Sequence, residues 1–183
     1  MFDKLLKPLC YIKIYHPEKR WFDYYLPLIL SIIICAVLYY LPVPVVFVGK
    51  DSLISVVNGI LQILSGFYIA SMAAVATFNK AGMDDPMSGQ PPTLYGKPLT
   101  RRNFLTYLFG YLAFMSIFMY FAGGFVQLAG KSILQIAAEF HELTKYIFVA
   151  VYMVFICNIL TTTALGMHFL IDRVHRGGSK FVD

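Results

Sequence analysis

Four apolar runs, each long enough to cross a bilayer as a helix, fill most of this 183-residue chain. A hydrocarbon core roughly 30 Å thick takes about 20 helical residues at about 1.5 Å each, and only helices or closed barrels satisfy their backbone inside it. The runs are continuous, not alternating, so they predict helices rather than barrel strands of about 10 residues. They cover Tyr24 to Leu41, Leu53 to Phe78, Phe104 to Ala129 and Thr144 to Ile171. Pro42 and Pro44 close the first, Asn79 and Lys80 the second, Gly130 and Lys131 the third, Asp172 and Arg173 the fourth. Composition agrees: 58% of residues are hydrophobic and 14% charged, where soluble domains run near a quarter charged. The expected class is all-α: a single-domain polytopic membrane protein with four transmembrane helices.

Orientation follows from the basic residues, which favour the cytoplasmic side of short loops. Twelve of the fifteen Lys and Arg residues fall in the N-terminal arm (1–23), the loop 79–103 and the tail (172–183). The other side keeps Lys50, Lys131 and Lys145. Both termini are therefore expected in the cytoplasm. Trp21, Phe22, Tyr24 and Tyr25, with Tyr39 and Tyr40 at the far end, suit headgroup depth. Leu41-Pro42-Val43-Pro44 stands where a small-x-small cleavage pattern would close a signal peptide, so the first run reads as a retained anchor. Cys10, Cys35 and Cys157 form neither a disulfide framework nor a zinc spacing. The net charge of +5 reads as topological bias and attraction to anionic headgroups, Lys97, Arg101 and Arg102 among them, rather than direct nucleic-acid binding.

Outside the spans, Phe2, Leu5, Leu6, Leu9 and Ile12 predict an arm helix lying on the inner leaflet, broken by Pro8 and Pro17. Ser132 with Gln135, and Ile133, Ile136, Phe140 and Leu143 at helical spacing, predict an outer amphipathic connector over 130–143. The loop 79–103 is dense in Gly and Pro, which excludes a long helix. Connections of that length are functional or disordered more often than idle. Lys80, Asp84, Asp85, Lys97, Arg101 and Arg102 are its candidate partner-binding residues.

Within the second span Ser55, Asn58, Gln62 and Ser65 share one helical face, and Gly66, Ala70 and Ala74 form a small-xxx-small series beside it. Amides and hydroxyls in hydrocarbon need partners, so this seam reads as interhelical packing, within a protomer or in a homo-oligomer. The alternative is a pore lined by the second span, although the seam's inner half is apolar and lacks a charged ring. Asn158 and His168 in the fourth span also call for partners, and His168 is expected in the interior or at the interface. Apart from His168 and Lys145 near its ends, no span carries an ionisable side chain, which argues against a proton relay.

No catalytic or metal motif stands out. His141-Glu142 begins like a zinc-protease helix, but Lys145 occupies the second histidine's place. Asp84 and Asp85 precede Pro86 as turn formers do. No enzyme activity and no cofactor are expected. The four-span plan, the central Pro/Gly-rich loop, Phe78-Asn79-Lys80, the Asp84-Asp85-Pro86 turn and Arg101-Arg102 resemble the membrane subunit of the bacterial Kiwa anti-phage defence system. That resemblance implies an oligomeric inner-membrane sensor and scaffold that recruits a DNA-binding cytoplasmic partner.

Overall fold

Four helices of the required length and apolarity are present in a computed structural model of the chain: α1 (Pro17–Tyr40), α2 (Leu53–Thr77), α3 (Arg101–Ile136) and α4 (His141–Arg176). The structure describes residues 6–77, 82–86, 90–136 and 141–176, without the side chains of 131–136, 141–145 and 171–176. The protein is thus an α-helical, multi-pass membrane protein. Many large apolar side chains face outward, among them Ile32, Ile63, Phe121 and Leu128, as a lipid solvent permits.

Helix α3 is the hub. It packs against α2 on one side and α4 on another, and α4 in turn packs against α1. Phe104, Leu105, Leu108, Phe109 and Leu112 of α3 are almost wholly buried. Two glycines set the approach distances. A Cβ on Gly123 would lie 2.6 Å from Asn58 Oδ1 of α2, and one on Gly166 of α4 would lie 2.9 Å from a Leu108 methyl. Neither contact tolerates a larger residue without movement.

Several boundaries differ from the sequence expectation. Helix α1 starts at Pro17, not Tyr24, because proline suits the first helical turn, where its missing N–H leaves nothing unsatisfied. A single π-helical turn, Trp21–Tyr25, joins its first turn to the rest. Gly130 and Lys131 do not end α3, which continues to Ile136, so the outer connector gives its first part to that helix. Residues 137–140 lie outside the described residues, as do the side chains that made the connector amphipathic. The arm forms a 3-10 helix, Lys7–Lys13, that packs on α3. Its buried residue is Tyr11, with Ile14 just beyond, while Leu6 and Ile12 are half exposed.

The loop before α3 is folded. Strands β1 (Thr93–Leu94) and β2 (Lys97–Pro98) pair antiparallel around Tyr95 and Gly96. Both turn residues have positive φ, 51° and 77°, as the mirror-image two-residue hairpin turn requires. Thr93 also exchanges backbone hydrogen bonds with Tyr15, at 2.9 and 3.1 Å, so the arm adds a bridge to the hairpin's free edge.

Candidate functional site

The arm, the hairpin, the start of α1, the start of α3 and the end of α2 meet at one end of the bundle. Two charged clusters hold them there. The first begins with a backbone defect in α1. Pro27 has no N–H for the carbonyl four residues back, that of Asp23. Asn158 of α4 donates its Nδ2 to that carbonyl at 2.8 Å, and its Oδ1 accepts from Tyr111 OH at 2.7 Å. Asn158 was expected to need outside partners, and α1 and α3 supply them.

The Asp23 side chain is buried within the same cluster. Lys19, one helical turn earlier, places its Nζ 2.6 Å from Oδ2. Tyr11 OH donates to Oδ1 at 3.1 Å, and Thr162 Oγ1 lies 3.4 Å from it. Lys19 and Asp23 retain only 3% and 8% of their exposure. The ammonium also sits 4.2 Å from the Tyr11 ring centre, which stacks at 4.9 Å on Tyr111. Burial, then the neighbouring Asp23 carboxylate, pushes the Tyr11 phenol well above its usual range, so it stays a donor. The pair lies in the first two turns of α1, closed in by Tyr11 of the arm and Thr162 of α4. Begun at Pro17 rather than Tyr24, the first span takes in this pair near its end, whereas the expected spans left both residues in the arm. The i, i+4 spacing of Lys19 and Asp23 was the available signal.

The second cluster pins the loop. The Arg102 guanidinium grips Asp84 through Nε at 2.8 Å and through a second nitrogen at 3.1 Å. Its remaining nitrogen donates to the Val75 and Ala76 carbonyls, both at 3.1 Å. Those carbonyls close the last turn of α2, where a cation is favoured by the helix dipole and by unpaired acceptors. The Arg102 backbone N–H bonds the Met83 carbonyl, and Pro86 forms a bridge with Thr100. The guanidinium holds the exposed Asp84 carboxyl below the usual carboxylate range through these hydrogen bonds.

The predicted partner-binding set therefore divides. Arg102 and Asp84 are engaged with each other. Asp85 and Lys97 are exposed, Arg101 is half-buried, and Lys80 lies outside the described residues. Tyr95, absent from that set, is 71% exposed at the hairpin tip. Lys13 approaches it, with Nζ 3.4 Å from its hydroxyl and 5.7 Å from its ring centre.

The seam on α2 divides too. Ser52 caps the helix, its Oγ accepting from the Ser55 N–H at 3.3 Å and meeting the Gln127 amide at 3.2 Å. Asn58 turns toward Gly123, and its Oδ1 is buried without a hydrogen-bond partner among the described residues. Ser65 Oγ donates back to the Gln62 carbonyl at 2.9 Å. Gln62, Gly66, Ala70 and Ala74 are exposed on the outer face. His168 is exposed as well, edge-on to Phe169, and stands apart from Asn158. Comparison with family models, with curated proteins and with solved structures returns no match.

Proposed function

We propose that the protein is a non-enzymatic sensor and scaffold of the bacterial inner membrane, whose arm-bearing end faces the cytoplasm and docks a soluble protein partner. The observation that carries this reading is Tyr95. A bulky residue in the left-handed backbone region costs roughly 1 kcal/mol, and glycine or asparagine would fill that turn position at less cost. The side chain so placed is an exposed aromatic, the type enriched at binding hot spots. It projects from a loop fixed to the arm through Tyr15 and to α2 and α3 through Arg102, so its presentation costs little ordering on binding. Strained backbone that presents a side chain outward is a recurrent property of recognition sites.

Self-association belongs to the same reading. Gly66, Ala70 and Ala74, flanked by the exposed Gln62 amide, offer a second copy a close-packing face with a polar contact. A pore lining would place Asn58 and Gln62 together toward water, whereas Asn58 is turned to Gly123 within the protomer. The resemblance to the Kiwa membrane subunit supplies the setting, anti-phage defence, and the expected partner class, a DNA-binding cytoplasmic protein.

Affinity capture of the full chain in mild detergent tests the docking. A soluble protein should co-purify at fixed stoichiometry, and Tyr95→Gly should lower its recovery at least about tenfold, the scale of a hot-spot truncation. Because glycine suits the turn, the unfolding midpoint should stay the same or rise. Full capture by Tyr95→Gly, or no recovered partner, contradicts the proposal.

A further inference from the structure

Between the arm and the first turns of α1 lies a cleft of about 330 Å³, lined by Lys13, Tyr15, Lys19, Arg20, Tyr24 and Tyr25 together with two isoleucines. Among the described residues, no acidic side chain lines it. Lys19 is neutralised from behind by Asp23. Lys13 and Arg20 have no carboxylate partner among the described residues, and Lys13 has only the neutral Tyr95 near its ammonium. Among the described residues, the cleft is therefore lined by two cations without a carboxylate partner and by three tyrosines, a donor set suited to a phosphate oxygen.

Its position selects the source of that phosphate. Trp21, Tyr24 and Tyr25, each about half exposed, form an aromatic collar where α1 begins, as at a membrane interface. Directly along the helix from Tyr24, at steps of four, follow Leu28 and Ile32, exposed by 50% and 60%. A headgroup in the cleft would thus have an apolar track beneath it for its acyl chain. The volume is at the lower end of ordinary ligand sites.

We propose that this cleft binds the phosphate of an acidic phospholipid, with Lys13 and Arg20 as its charge partners and the Tyr24-Leu28-Ile32 stripe as the seat of a chain. The site does not rest on the docking of a protein partner. Bound lipid would tie the arm to the first turns of α1, beside Lys19.

The chain's single tryptophan, Trp21, reports directly, since its ring lies 5.7 Å from that of Tyr25. The full chain in phosphatidylcholine nanodiscs is titrated with phosphatidylglycerol brominated on its acyl chains, and in parallel with brominated phosphatidylcholine. Phosphatidylglycerol should quench Trp21 at a lower mole fraction. Lys13→Gln with Arg20→Gln should weaken that preference by about twenty-five-fold, about fivefold for each charge. Lys7→Gln, a charge removed from the same arm outside the cleft, should leave it intact, and excess inorganic phosphate should not reverse it. Equal quenching by the two lipids, an unchanged preference in the double variant, or loss of preference in Lys7→Gln overturns the proposal. Reversal by inorganic phosphate also overturns it, in favour of a soluble anion. If the double variant does not fold, Arg20→Gln alone carries the test, with a fivefold loss expected and no loss contradicting the site.

Discussion

Lys19 and Asp23 are each too costly to bury alone. Two charges withdrawn from water lose several kcal/mol of hydration each, regained only through close pairing and additional hydrogen bonds. Tyr11, Thr162 and the Lys19 ammonium supply those contacts to the carboxylate, from the arm, α4 and α1 respectively. The pair thereby fixes which elements meet more than it adds to net stability. Asp23→Ala and Lys19→Met should each destabilise by about 3 to 5 kcal/mol, because each leaves the other charge buried and unpaired. Lys19→Met with Asp23→Leu should recover most of that loss, with a coupling energy of about 2 kcal/mol or more in a double-mutant cycle of denaturant unfolding. Additive losses would show that the two residues act separately. Of this cluster only the i, i+4 spacing of Lys19 and Asp23 was legible in the sequence. With the first span begun at Tyr24, Lys19 counted as one more basic residue of the arm and Asp23 was given no role. Only the earlier helix start at Pro17 and the arm folded over it carry both groups inside.

Among the elements, the loop before α3 departs furthest from its sequence reading. Its Gly and Pro content gave turns correctly, but the hairpin's two-residue Tyr95-Gly96 turn lacks the Asn-Gly or Asp-Gly signature. Its third backbone partner, Tyr15, is remote in sequence, and no local pattern encodes that pairing. Arg101 and Arg102 looked equivalent in the sequence, whereas Arg102 acts as a clamp for the end of α2. The clamp has a pH signature. Asp84 titrates lower folded than unfolded, so its contribution is present above the ordinary aspartate range and is lost as pH falls through its lowered folded value. Limited proteolysis should therefore find the loop protected at neutral pH and cut faster in strong acid. Asp84→Asn should be cut faster already at neutral pH, with less further change on acidification. Equal rates for both proteins at all pH values would mean that the clamp does not order the loop.

For the whole molecule, four crossings follow from apolar length alone, and the structure bears out their number. Hydropathy was less informative about their ends, because a membrane helix stops where its backbone finds other partners. Helix α3 runs through Gly130 and Lys131, and α1 takes in seven residues of the expected arm. The small-residue face of α2 was legible as a series, and its exposure on the outer surface makes a second copy its natural occupant in the scaffold reading. Gly66→Leu should weaken self-association by about tenfold or more in bilayer energy-transfer measurements, since such faces depend on close backbone approach. An unchanged association constant would move any oligomer contact elsewhere.

The central claim is that the hairpin and arm face the cytoplasm. With Cys10, Cys35 and Cys157 replaced, Tyr95→Cys and, at the opposite end, Val46→Cys, both exposed positions, are treated with a membrane-impermeant maleimide in spheroplasts. The account predicts labelling at position 46 in intact spheroplasts and at position 95 only after lysis. Labelling at position 95 before lysis would put the hairpin outside the cell and contradict the docking function.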